Sequence, residues 1–193
     1  MDDATAEDVG SKVAAALSRN ELVRVSRGGI DPSGLHSEGY LLDASDQFIL
    51  LHRLSDRIDL DGYEVLRLKD VTKLEIDFPR KRLFEKALKM KSISYRRPMG
   101  VQLTNTRALL SSVSNQYPLI VIERELRAPG ECEVGRIKLL TDEKYALKWL
   151  SPDSKWEDDP EVYDIADVTR VQFDGEYENT LALVAGIVPR QRS

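Results

Sequence analysis

The sequence predicts a mainly β fold of the α+β class, two tandem five-stranded small barrels each flanked by short helices. Three observations predict it. The stretch 39–77 recurs as 135–174, each copy breaks into short β-rich runs divided by turn residues, and segments of helical periodicity bracket each set.

The recurrence is specific. Gly39 falls on Gly135, Asp46 on Asp142, Leu51 on Leu147 and Leu54 on Leu150, all at an offset of 96. One inserted residue later the offset is 97. Glu64-Val65 then falls on Glu161-Val162, Asp70-Val71-Thr72 on Asp167-Val168-Thr169, and Asp77 on Asp174. Six of fourteen consecutive positions at that offset are identical. The organisation that follows is two units, 1–96 and 97–193, joined near Ser92–Gly100 by a polar stretch with a proline and a glycine.

In order along the first unit, Val9, Val13, Ala16 and Leu17 sit at helical spacing over 5–18, with Gly10 weakening the first turn. Leu22–Val25 is β-branched and reads as a strand; 28–39, rich in Gly, Pro and Ser, reads as a loop. Tyr40–Ala44, Phe48–Leu54, Glu64–Leu68 and Val71–Asp77 supply the other strands, with a tight turn at Ser45-Asp46-Gln47. In the third strand Ile49 and Leu51 match Tyr145 and Leu147, apolar in both copies, so that face is expected inside. Phe48, Leu50 and His52 match Lys144, Ala146 and Lys148, so that face is expected nearer solvent. Thr72, Leu74 and Ile76 are expected to face inward on the last strand. After Pro79 a helix follows with Leu83, Ala87 and Met90 on one stripe, Phe84 and Leu88 beside it, and a basic outer face.

The second unit repeats this order. Thr104 is placed to cap a helix over 105–114, Leu119–Ile122 is the first strand, 125–134 the loop, and 177–184 the closing helix. Short strands with little between them suggest sheets that close and leave few free edges.

The stretch from Gly39 through Asp46 into Phe48–Leu51, with the later block VLRLKDVTKLEI (65–76), resembles the Sm/LSm-like family, a relative of SH3-like barrels. In that family's pattern a glycine opens strand two, an aspartate precedes strand three, and a second apolar motif builds strands four and five. The resemblance implies an Sm-like barrel in each unit. The residues that hold RNA in that family are absent: Leu50 stands where its asparagine would fall, and Arg67 and Arg170 are followed by Leu68 and Val171, not glycine.

Composition bounds the function. Hydrophobic content of 41% and charged content of 32% describe a folded protein, and no apolar run approaches the ~20 residues that span a bilayer. The acidic start MDDATAEDVG lacks a secretory pattern, and the single Cys132 rules out an intrachain disulfide framework, so the expected compartment is the cytoplasm. A net charge of −5 argues against bulk electrostatic binding of nucleic acid.

Two histidines, His36 and His52, and one cysteine leave no nucleophilic triad, and His52, matched to Lys148, is expected at the surface. The loop DRIDLDG (56–62) puts Arg57 and Leu68 at the first and twelfth positions of a calcium loop, so it reads as a polar turn. GGIDPSG fits no phosphate-binding glycine pattern. No cofactor and no metal are expected, and the chain is not read as an enzyme.

The basic run Arg80, Lys81, Arg82, Lys86, Lys89, Lys91, Arg96 and Arg97 holds one acid, Glu85, while 153–178 carries ten carboxylates against Lys155 and Arg170. Trp149, matched to Arg53, is expected partly exposed as a contact residue, and Trp156 is expected in a core under the acidic loop. The sequence reading is a non-catalytic cytoplasmic interaction or adaptor protein. A protein partner contacts its barrel loops and edges, using the loops 28–38 and 125–134 or the surface around Trp149. The alternative is binding of RNA or single-stranded nucleic acid through Arg80, Lys81, Arg82, Lys86, Lys89, Arg96 and Arg97. A homo-oligomer is left open, and no membrane partner is expected.

Overall fold

Hydrogen bonds between neighbouring strands decide how the β-rich runs are arranged. The structure, a computed structural model, describes residues 3–31 and 35–187. The chain divides into two units, Met1–Pro98 and Met99–Ser193. The first contains α1 (Asp3–Leu17), β1 (Leu22–Ser26), β2 (Ser37–Ala44), β3 (Phe48–Leu54), β4 (Leu60–Arg67), a 3-10 turn (Leu68–Asp70), β5 (Lys73–Glu75) and α2 (Lys81–Met90). The second contains α3 (Thr106–Gln116), β6 (Ile120–Glu123), β7 (Cys132–Leu140), β8 (Lys144–Trp149), β9 (Glu161–Asp164), a 3-10 turn (Ile165–Asp167), β10 (Arg170–Phe173) and α4 (Glu176–Val184).

The mainly β class holds, but the closed barrels do not. All ten strands are laid out as open antiparallel sheet, five in each unit. Hydrogen-bonded neighbours run β5-β1-β2-β3-β4 in the first and β10-β6-β7-β8-β9 in the second. Among the described residues β4 does not pair with β5, nor β9 with β10. Closure needs a full ladder between first and last strands. Here a 3-10 turn diverts the chain after β4, and β5 offers three residues, all of them registered on β1. The Sm/SH3-like barrel pair expected from the sequence is therefore corrected to open sheets.

The motifs that recur have local mechanical reasons. Gly39 faces Arg53 across the β2–β3 ladder, and a Cβ there would lie 2.4 Å from the His52 carbonyl oxygen. At Gly135 the same atom would lie 2.2 Å from the Lys148 carbonyl oxygen. No side chain fits either place. Each strand then bulges, between Leu41 and Asp43 and between Ile137 and Leu139. The next turn is closed by a hydroxyl. Ser45 Oγ accepts from the N–H groups of Gln47 (3.2 Å) and Phe48 (3.1 Å), and Thr141 Oγ1 from Glu143 (3.3 Å) and Lys144 (2.9 Å).

The repeated Asp-Val-Thr triplet is a clasp. Thr72 Oγ1 accepts from Gly28 N–H at 2.8 Å and donates to the Ser26 carbonyl at 3.1 Å. Thr169 Oγ1 accepts from Glu125 N–H at 3.1 Å and donates to the Glu123 carbonyl at 2.9 Å. Thr72 is thus exposed, where the sequence expects it inside; Val71 and Leu74 are the buried members. The preceding 3-10 turns are also tied alike, Leu68 N–H to the Gln47 carbonyl and Ile165 N–H to the Glu143 carbonyl.

In the first unit α1 packs Val9, Val13 and Ala16 on Val23, Val25, Leu41, Ile49, Leu51, Leu66, Val71 and Leu74. Each such side chain stabilises the fold by roughly 1.5–3 kcal/mol when fully buried. The opposite face is covered too. Phe84 and Leu88 of α2 pack with Phe78 on Leu22 and Leu54, and Arg96 N–H donates to His52 Nδ1 at 3.1 Å. Phe48, Leu50 and His52 are all buried, which corrects the solvent-facing expectation; His52 stacks on Tyr63 at 4.7 Å. The helix stripe shifts for the same reason, since packing on Leu22 and Leu54 selects Phe84 and Leu88 and leaves Leu83 and Met90 outside.

In the second unit α3 buries Leu109, Leu110 and Val113, capped by Asn105, whose Oδ1 accepts from Ala108 N–H at 2.8 Å. The cap is thus one residue past the expected Thr104. Leu181 and Ala182 of α4 pack with Leu119, Leu150 and Ile187, and Trp156 lies against this cluster. The loop expected over 28–39 is shortened by β2, which starts at Ser37, and its residues 32–34 lie outside those described. Among the described residues no helix is long and apolar enough to cross a membrane.

Candidate interaction surfaces

The basic run separates into structural and free cations. Lys81 Nζ donates to Glu21 Oε2 at 2.7 Å and to the Ile76 carbonyl at 2.8 Å, which fixes the start of α2. The Arg80 guanidinium lies 4.9 Å from the centre of the Phe84 ring. Arg97 donates to Asn20 Oδ1 at 2.8 Å, and Lys91 to the carbonyls of Arg57 and Ile58. Arg96 is exposed and binds through its backbone. What remains is a stripe. Arg82, Lys86 and Lys89, at i, i+4 and i+7, all point to solvent. Among the described residues none of the three has an ion-pair partner. Leu83 and Met90 flank them, 50% and 77% exposed.

The equivalent helix of the second unit has a different surface. Aligning the helix ends, where Ile93 N–H reaches the Leu88 carbonyl and Ile187 N–H the Ala182 carbonyl, places Leu83 with Tyr177, Lys86 with Thr180, Lys89 with Leu183 and Met90 with Val184. Tyr177, Leu183 and Val184 are 53%, 67% and 71% exposed. Sequence reading missed this face. Its signal was that apolar residues of 177–184 fall on both sides of the helix, more than one buried face can take.

Trp149 is partly exposed, as expected, and is held in a chain of hydrogen bonds. Half-buried on β8, it donates from Nε1 to Tyr163 Oη at 3.0 Å, and Tyr163 donates to Glu161 Oε2 at 2.7 Å. Behind it Arg124 pairs with the buried Glu133, its Nε donating to Oε1 at 2.8 Å, and Tyr145 Oη donates to Glu133 Oε2 at 3.4 Å. The Arg124 guanidinium lies 4.0 Å from the Tyr163 ring centre. Burial, then the Glu133 charge, pushes the Tyr145 phenol well above its usual range; burial, then donation to Glu161, does so for Tyr163. Such phenols stay protonated at neutral pH and serve as hydrogen-bond donors. Partial desolvation, then the carboxylates of Glu123 and Glu133, raises the Cys132 thiol as well.

The acidic loops are hairpin turns: Ser55 N–H to the Asp59 carbonyl, and Ser151 N–H to the Lys155 carbonyl, both close the same ring. Among the described residues no three or more His, Cys, Asp or Glu side chains gather as a metal-binding group. Asp70 pairs with Arg67 and Asp167 with Arg127. Compared with known proteins, the chain matches no family model, no curated protein and no solved structure.

Proposed function

We propose that the chain is a non-catalytic interaction protein that docks a protein partner on the outward face of α4, and that it works in the cytoplasm. The observation that carries this reading is the trio Tyr177, Leu183 and Val184, three large apolar side chains of α4 each more than half exposed, Tyr177 and Val184 aligned at i and i+7 with Leu183 beside them. Aromatic and aliphatic anchors of this kind supply most of the energy of a protein interface. The partner is one that presents an apolar groove.

Capture from the native cell tests it with three baits: the wild-type chain, the triple variant Tyr177→Ser/Leu183→Ser/Val184→Ser, and Arg82→Glu/Lys86→Glu/Lys89→Glu. A protein held by the first and third baits and lost from the second is the expected result. Retention indifferent to the α4 changes sinks the proposal.

A second reading rests on the unpaired stripe of α2: single-stranded RNA lies along Arg82, Lys86 and Lys89. Three phosphate contacts give a log–log salt slope of about −2, so affinity falls about twentyfold from 50 to 200 mM salt. Titration of the intact chain with a labelled single-stranded RNA at both concentrations measures this. Absence of binding at the lower salt removes the reading.

A further inference from the structure

We infer that a cleft in the second unit, between β7, β8 and the end of α4, is a binding site for a small phosphate ester carrying an apolar or aromatic body. The cleft has a volume of about 380 Å³ and is lined by Arg136, Lys138, Lys148, Trp156 and the turn Ala185–Ile187. That volume lies at the small end of ligand sites. Among the described residues three cations line it and no carboxylate does.

The arrangement is costly without a ligand. Arg136 and Lys148 are direct cross-strand partners, and like charges so placed destabilise a ladder. Lys148 is half-buried, and among the described residues neither Lys148 nor Lys138 has an ion-pair partner. Arg136 uses Nε for the Pro118 carbonyl at 2.9 Å, which fixes the plane of its guanidinium. An anchored guanidinium beside two ammonium groups suits a doubly charged, three-oxygen anion. Trp156 and Ile187, packed in one apolar cluster, give the rest of the ligand an apolar wall.

In the first unit the same place is covered by the segment after α2. There the cross-strand partners are Tyr40 and His52, at an offset of 96 from Arg136 and Lys148. Tyr95 packs on the Tyr40 ring at 5.0 Å, Arg96 N–H donates to His52, and Ile93 joins the cluster with Leu60. Chain occupies the position, and the pair beneath it is uncharged in the neutral-imidazole form. In the second unit the pair is cationic, and none of the described residues that line the cleft is acidic.

The test uses the full chain with Trp149→Phe, so that Trp156 is the sole indole, and phenyl phosphate as the probe. The expected result is a saturable change in Trp156 emission that phenol does not produce. Lys148→Met and Arg136→Gln each weaken it about tenfold, the loss of one charge-assisted contact. Folding is checked by melting temperature without ligand: relief of the like-charge opposition leaves Lys148→Met at least as stable as its parent. Phenyl phosphate raises the melting temperature of the parent and not that of the variant. No saturable change at millimolar probe, or equal binding by parent and Lys148→Met, overturns the proposal.

Discussion

Helices α2 and α4 close their units in the same way yet offer solvent opposite chemistry. Both end on a residue at positive φ, Ser92 at 58° and Gly186 at 69°, followed by a partly or fully buried isoleucine. Both turn their i and i+4 positions, Phe84 with Leu88 and Glu178 with Ala182, to the inside. Outside, Arg82, Lys86 and Lys89 stand against Glu176, Thr180 and Leu183. The difference teaches where the constraint lies. Positions that meet a backbone recur, as Gly39 and Gly135 or Thr72 and Thr169 do; positions that meet only water do not.

The same contrast runs through the interiors, and the largest expected effect breaks it there. Arg124→Met leaves Glu133 buried beside Tyr145 with its charged partner gone, which destabilises the chain by about 3–5 kcal/mol in a urea titration. The position matching Glu133 in the first unit is Ser37, and the buried arginine there, Arg27, pairs instead with Asp31 four residues on. Next come Gly39→Ala and Gly135→Ala. Each forces a methyl group against a carbonyl oxygen, and each is expected to cost about 3 kcal/mol. Equal losses sharpen the equivalence of the two sites; a gap between them of more than about 1 kcal/mol breaks it.

A smaller effect appears at high pH. The raised phenols of Tyr145 and Tyr163 hold their protons more tightly in the folded chain than at the ordinary value of 10.0. The folded state therefore binds more protons above that value, and stability, full below pH 10, falls as pH rises further. Urea midpoints followed through Trp149 and Trp156 emission drop as the pH rises above about 10, and Tyr145→Phe flattens the drop. Smallest is Gly10→Ala. The added methyl group meets nothing within 4 Å on an exposed side of α1, so the chain gains up to about 1 kcal/mol.

Much of the fold was legible because the repeat carries its own controls. A pair such as Ile49 and Tyr145, apolar in both copies, identifies an inner face without any structure, and both are fully buried. The reasoning failed where partners come from elsewhere in the chain. Leu50 and His52 looked permissive because their matches are Ala146 and Lys148, yet they are buried, His52 beneath the segment after α2. Openness of the sheets was illegible for a related reason. Strand number and length look the same in open and closed sheets, and only the three-residue β5 after its 3-10 turn tells them apart. The cleft cations went unread because Arg136 and Lys148 meet through strand register, not through spacing along the chain.

The terminal strand β9 has a practical consequence for handling the protein. Among the described residues its outer backbone edge is unpaired, Val162 is exposed on it, and Glu161 and Asp164 sit along it behind the run Glu157-Asp158-Asp159. Mutual repulsion of these carboxylates is what keeps one such edge from zipping onto another. Near the isoelectric point of about 5.2 the net charge that keeps molecules apart vanishes, so concentrated samples are expected to turn cloudy or fibrous there and to stay clear at neutral pH.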